Sequence, residues 1–456
     1  MKPVSAWNIP PYTPSMHTSR KDRPYVCRIL PYATTLDFDF IDECAPKRAS
    51  HTLYYRILGG TYTAVFMEDS FRGQICNLRP RTEYEFYVER DCDGVCSEVR
   101  RIRTGVYPGR AVHYLHPKDP FYAFSGNALS SPCLCRLPSG KLLASMDVTA
   151  KGASQCLTLL FYSEDNGTGW HYLTELYPCC HGQLFYQNGR LYVLALSAPE
   201  GDILIGASDN EGIDWTMPTV LFRGSYNPNV DTWYRSPTSL TQANGRLYAS
   251  LSFGHEGSGM DAHVLSAPDD AVDYTDPAVW TLSDGAPTTD SEQNRCALDG
   301  SMILLPDGTL YQMMHYGIGQ CLLFSIAADD PSAAPIPQGT VVTETAPSKF
   351  DVRYDPVSAS YYALCNRTSV DDSAVYTVLS LFVSKDALHW SVAADVLNAG
   401  ALPASDVGFR SVSFVINDND ILFLSCTAYG NAISCKDANY ITFHKIENFR
   451  EIGNAP

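Results

Sequence analysis

Charge is scarce in this chain, and basic charge is scarcer still. Charged residues make up 18%, with 33 Lys and Arg against 50 Asp and Glu, for a formal net charge of −17. The shortage is uneven. Residues 1–110 carry 16 basic and 13 acidic side chains, whereas residues 111–456 carry 17 and 37, a net −20. A body that acidic repels a polyanion at long range, which argues against nucleic acid as a partner. No run of about 18 apolar residues exists, so no membrane-spanning helix is expected. The opening segment lacks the apolar core of a secretory leader. No glycine-rich phosphate loop occurs, and no His, Asp or Glu spacing demands a metal, so neither cofactor nor metal is expected. The fifteen cysteines lack paired zinc-type spacing apart from Cys92-x3-Cys96, which reads as two incidental thiols on a hairpin. Cys133 and Cys135 alternate as strand residues do, and Cys179 and Cys180 are adjacent. Cysteine used as a small buried hydrophobe suits a reducing compartment, so a cytoplasmic location is expected.

What the chain does have is apolar residues, at 45%, enough to build a core and to exclude a disordered chain. Helix-period segments of useful length are missing, so the expected class is all-β. Three parts follow: an extension over 1–23, a β-sandwich over 24–105 and a β-propeller over 110–456. The sandwich reads as short alternating strands separated by Gly, Pro, Asn and Asp turns. Within it, Leu78-Arg-Pro80-Arg-Thr82-Glu-Tyr84-Glu-Phe86 places a proline turn before an alternating strand, with Tyr84 where a tyrosine corner would sit. This segment resembles the fibronectin type III signature, and Arg103-Thr104-Gly105 resembles that domain's last strand and exit.

Beyond residue 110 the chain repeats. Turns between a first and a second apolar strand recur at Gly140, Gly189, Gly245, Gly308, Ser358 and Asp418, spaced by 49, 56, 63, 50 and 60 residues. That period suits four-stranded propeller blades with loop insertions, and Asn-Gly and Asp-Gly are strong hairpin signals. Six units are visible, and a seventh blade is left open. The segment 111–115 is expected to close the last blade as its outer strand. A second marker, S-x-D-x-G-x-x-W, runs from Ser163 to Trp170, with Asn210 for Asp between Ser208 and Trp215, and one residue short from Ser384 to Trp390. It is the Asp box, and the chain thereby resembles the sialidase-like propellers. These boxes lie far from the active face and imply architecture only.

In a propeller the starts of first strands and the ends of second strands open on one face around the axis. Strand ends there supply Asp147, His255, His315, Asn366 and Arg367. Strand starts supply His181, Tyr234, Arg235, Arg295, Asp299, Lys349, Asp351 and Arg410. Five cations on these rims in an acidic shell point to an anionic ligand group, most simply a carboxylate. His181, at the mouth of an apolar strand, is the foremost proton-transfer candidate. The reading assigns catalysis to His181, Tyr234, Asp147 and His315. Substrate binding falls to Arg235, His255, Arg295, Asp299, Lys349, Asp351, Arg367 and Arg410. Such a set can abstract a proton α to a carboxylate or protonate a glycosidic oxygen. Asp147 with Asp299 or Asp351 would suit two-carboxylate hydrolysis.

The Asp boxes resemble those of exo-sialidases, whose first blade carries Arg-Ile-Pro; the matching place here reads Ser130-Ser131-Pro132. Residues 125–255 are similar in blade order to propeller ulvan lyases and to relatives that cleave rhamnose from glucuronate. The resemblance rests on His181-Gly-Gln-Leu-Phe-Tyr-Gln-Asn-Gly-Arg-Leu-Tyr192 and on Tyr234-Arg235-Ser-Pro237 followed by Asn244-Gly245-Arg246-Leu-Tyr248. It implies an enzyme cleaving an acidic, uronate-containing glycan by hydrolysis or β-elimination, with an acidic oligosaccharide as its partner. The alternatives are an exo-sialidase-like hydrolase and a glycan-binding propeller without catalysis.

Overall fold

The computed structural model describes residues 22–452 except 47–48, 68–70, 151–152, 154, 256–258, 289–297, 346–347, 350, 368–375 and 404. The N-terminal part is two facing sheets. One joins Tyr25–Pro31, Leu36–Ile41 and Arg72–Ile75. The other joins Thr63–Met67, His51–Ile57 and Glu83–Arg90, the last flanked by Val95–Cys96 and Arg100–Arg103. Glu83–Arg90 alternates strictly, burying Tyr84, Phe86 and Val88 against Leu53, Phe38 and Phe40. At its start the Arg79 N–H donates to the Tyr84 hydroxyl at 2.8 Å, pinning the preceding loop.

The remainder is a ring of six antiparallel sheets among the described residues. Their first strands are Ala128–Arg136, Cys180–Gln187, Thr232–Tyr234 with Thr241–Ala243, Leu298–Leu304, Asp351–Asp355 and Gly408–Asn417. Hydrogen bonds link each sheet to the next. The Leu184 N–H donates to Cys133 Sγ, Arg235 to the Leu194 carbonyl, and Thr241 to Met302. Tyr361 donates to Leu304, Arg353 to Phe414, and the Leu134 N–H to Ser413, which returns to the first sheet. The sixth sheet is completed by Arg110–Tyr114, which pairs with Tyr440–Ile446 and ties the start of the ring to its end.

Local chemistry explains the hairpins. Asn188 and Gly189 have φ of 50° and 83°, and Asn244 and Gly245 have 49° and 72°, the two positive values that a tight hairpin of this hand requires. In the box from Ser163 to Trp170, the Gly167 N–H donates to Ser163 Oγ at 2.8 Å and the Gly169 N–H to Asp165 Oδ1 at 2.7 Å. Trp170 then packs on Phe443 of the sixth sheet. The described cysteines are free thiols, Cys92 and Cys96 included.

The sandwich is built into the ring. Ala111, Tyr114 and Tyr440 of the ring share one core with Val26, Ile29 and Phe38. Arg100 Nε meets Asp119 at 2.8 Å with both side chains almost wholly buried. Tyr25 bonds to Tyr122 at 2.8 Å and donates to Glu175.

The closing sheet carries an acid-sensitive pair. Burial lowers the His444 imidazole to about 4 and the His113 imidazole well below its ordinary value. Both folded-state values lie under the unfolded one, so on acidification the unfolded chain takes up protons first and the fold loses stability. Between pH 6.5 and 5 each histidine removes up to about 1.4 kcal/mol per pH unit. Urea midpoints across that window should fall with pH, and His113→Leu should flatten the slope. A midpoint unchanged from pH 6.5 to 5 contradicts this.

Candidate functional site

The hub is shaped by a fault repeated in the first strands. Pairing slips by one residue between Ser130 and Cys133, Cys180 and Gln183, Leu298 and Ser301, and Arg410 and Ser413. Each slip is a β-bulge, which inserts one unpaired residue and re-aims its side chain. Ser131, His181 and Ser411 occupy three of these bulges with φ of 49°, 51° and 51°, the left-handed region. They surround a cavity of about 330 Å³.

His181, Gln155 and Tyr234 line that cavity. The His181 Nδ1 lies 2.8 Å from the Arg235 carbonyl oxygen. A carbonyl only accepts, so Nδ1 carries the proton and Nε2 of the neutral ring is an acceptor. Gln155 Nε2 approaches it at 3.1 Å, while Gln155 Oε1 accepts from Thr149 at 2.8 Å. Tyr234 stands edge-on to the imidazole, with ring centroids 6.0 Å apart.

Cations line the same cavity. Lys349, Arg410 and Lys436 line the cavity, with Tyr376 beneath two of them. The Arg410 guanidinium lies 5.5 Å and the Lys436 ammonium 5.9 Å from the Tyr376 ring centroid. Arg410 donates to the Lys436 carbonyl at 3.2 Å. Among the described residues lining the cavity, Asp437 is the carboxylate, held by the Ser434 hydroxyl at 2.6 Å. In a chain of net charge −17, the hub therefore gathers positive charge.

The structure brings together His181, Tyr234, Lys349 and Arg410 from the sequence-derived set, and corrects the placement of others. Asp147 lies behind the cavity, fully buried. Its Oδ1 accepts from Thr158 at 2.6 Å and its Oδ2 from the His181 N–H at 2.7 Å, and burial raises its carboxyl pKa. Arg235 points away from the cavity, 2% exposed, donating to the carbonyls of His181 and Leu194. Burial brings its guanidinium down to about 10, which leaves it charged at neutral pH. Asp351 is turned inward, accepting from Ser239 at 2.9 Å and meeting Arg353 at 3.1 Å. Asn366 is likewise buried, donating to the Phe409 carbonyl. Arg367 pairs with Asp395 at 3.1 Å and His255 with Asp231 at 2.8 Å, both outside the cavity lining. His315 ends its strand opposite Leu298, also outside the lining. Arg295 and the side chain of Asp299 lie outside the described residues.

Gln155, Tyr376 and Lys436 are additions the sequence reading missed. They sit on loops, which have no periodicity to project. The bulges left one faint signal, a small or turn-prone residue directly after the re-aimed one, as in His181-Gly182 and Ser131-Pro132.

No protein-family model and no curated protein sequence matches this chain. Solved structures do match in fold. The Hadza microbial sialidase aligns over 96% of this chain and 98% of its own, at 13% identity and a TM-score of 0.52. The GH93 α-L-arabinofuranosidase of Fusarium graminearum, solved with arabinobiose, covers 74% of this chain and 97% of its own at 12% identity and TM-score 0.51. The Penicillium chrysogenum α-L-arabinanase, also with arabinobiose, covers 75% and 97% at 13% identity and TM-score 0.50. Likeness at this level shows the fold alone, a β-propeller like those of these three structures.

Proposed function

We propose that the hub cavity binds a uronate residue of an acidic glycan and that the chain cleaves the adjoining glycosidic bond. The observation that carries this is the meeting of Lys349, Arg410 and Lys436 with His181 and Tyr234 in one cavity. A carboxylate is the anion that guanidinium and ammonium groups grip with charge-assisted hydrogen bonds. Neutralised by them, it makes its α-proton more acidic. His181 Nε2 takes that proton, the freed electron pair, spread onto the cation-held carboxylate, forms a double bond between the α and β carbons, and the β C–O bond breaks so that the glycosidic oxygen leaves with a proton from Tyr234. This is β-elimination, and it is the route these side chains serve directly. Hydrolysis is a second reading, favoured by neighbours in fold that are named as glycosidases. It requires two carboxyl groups facing the bond.

The same reading takes the six sheets as six blades. It takes the leading sandwich as a fibronectin type III domain, on the strength of its strand order and the Tyr84 corner.

A panel of uronate-containing oligosaccharides tests the proposal. Elimination yields a new ultraviolet absorbance from an unsaturated uronate; hydrolysis yields reducing ends without it. Arg410→Ala and Lys436→Ala should each raise KM by roughly 10- to 100-fold, since a charged hydrogen bond contributes about 1.5–3 kcal/mol. Equal turnover of neutral and acidic glycans would remove the basis for a carboxylate clamp.

A further inference from the structure

We propose that Asp147 and Arg235 are positioning residues that lock His181 into one backbone conformation and one tautomer, with the Nε2 lone pair turned to the cavity. The proposal rests on the reading of His181 as the proton acceptor at the hub.

Three attachments converge on this single residue. Asp147 Oδ2 accepts the His181 N–H at 2.7 Å. The Arg235 guanidinium donates to the His181 carbonyl, and the Arg235 carbonyl in return accepts from His181 Nδ1–H at 2.8 Å. Peptide donor, peptide acceptor and ring are thus held at once. The held conformation is left-handed, with φ of 51°, one that a side-chain-bearing residue keeps only where its surroundings impose it. The clamp is costly. A carboxylate at 0% exposure and a guanidinium at 2% have both been taken out of water, and packing alone would be served by apolar side chains. Neither group reaches the cavity, so neither can touch a ligand there. What each touches is His181. Asp147 is anchored in turn by the Thr158 hydroxyl at 2.6 Å, and Arg235 by the Leu194 carbonyl at 2.7 Å.

The chemical consequence is specific. Free imidazole favours protonation at Nε2, which would present an N–H to the cavity. With Nδ1–H committed to the Arg235 carbonyl, Nε2 faces the cavity as an acceptor, ready to take a proton. Displacing the Gln155 amide from Nε2 exposes that acceptor to a bound sugar.

The test uses 15N-histidine-labelled full-length protein without any glycan. The His181 signals are identified from their loss in His181→Gln, and the tautomer is read from nitrogen shifts where the imidazole is neutral. Wild type should show the Nδ1–H form. Asp147→Ala and Arg235→Met should show mixed tautomers, and Asp147→Asn, which keeps an oxygen for the His181 N–H, should restore the Nδ1–H form. With an active substrate, Asp147→Ala should lower kcat about a hundredfold with KM little changed, and Asp147→Asn should regain most of it. An Nε2–H tautomer in wild type overturns the proposal, and that measurement stands even if Arg235→Met does not fold. So does a folded Asp147→Ala whose tautomer is unchanged. Failure of every glycan to turn over, with the Nδ1–H form present, would sink the functional reading and leave the clamp in place.

Discussion

Replacing His181 with alanine is expected to lower turnover of a uronate glycan by roughly 10²–10⁴-fold, the range a general base supplies, while the protein stays folded. The expectation follows from where the ring sits. Its Nδ1 is committed to the Arg235 carbonyl, so Nε2 is the atom that meets a ligand. Removing the ring removes that acceptor and leaves intact the hydrogen bonds from the backbone N–H to Asp147 and from Arg235 to the backbone carbonyl. Ground-state binding should change little, because the proposal gives the anion to Arg410 and Lys436, which line the same cavity and are untouched by the substitution. The effect should therefore appear in kcat rather than KM. Retention of more than about a tenth of wild-type kcat, a far smaller loss than general-base removal produces, would assign proton transfer elsewhere.

The second large effect is on stability. Asp119→Ala should cost about 3–5 kcal/mol, the loss seen when one partner of a buried ion pair is removed. Arg100 is 1% exposed and its charge is opposed by burial and sustained by Asp119. Without that carboxylate, the guanidinium keeps the Val26 carbonyl at 2.7 Å and the Phe121 face at 4.5 Å, neither of which carries a full negative charge. Converting both partners, as Arg100→Met with Asp119→Leu, should recover most of the loss. An exposed pair gives the contrast: Glu447→Ala, opposite the half-exposed Lys445, should stay within about 1 kcal/mol. Urea unfolding measures all three. A cost below about 1 kcal/mol for Asp119→Ala, the scale of an exposed pair, would mean that the sandwich and ring do not depend on this contact.

Much of the architecture was readable from residue order because its determinants are local. Asn188-Gly189 and Asn244-Gly245 specify their own backbone angles, and the box from Ser163 to Trp170 satisfies its own turn. The closing strand was readable because an apolar strand at 111–115 precedes the first repeat, where a ring of this kind joins its two ends. The hub was read only in part. His181 sits in a bulge and Arg410 adjoins one, and the inserted residue breaks the two-residue alternation used to project side chains. Arg235 lies on the unpaired stretch after Thr232–Tyr234, where no strand alternation fixes the side-chain direction. Lys436 and Gln155 arrive on loops whose positions depend on the closed ring, and no local pattern encodes them. Residue type carried more than register here: of the five cations projected to the rims, Lys349 and Arg410 line the cavity, and Lys436 joins them from a loop.

Everything functional depends on a carboxylate lying beside His181 at the hub. The most direct measurement is a crystal structure of the His181→Ala variant soaked with a uronate disaccharide. The account predicts the sugar carboxylate between Arg410 and Lys436, with the glycosidic oxygen facing Tyr234 and the position vacated by the imidazole. A disaccharide seated anywhere else on the molecule, or bound at the hub with its carboxylate turned away from those cations, would contradict it.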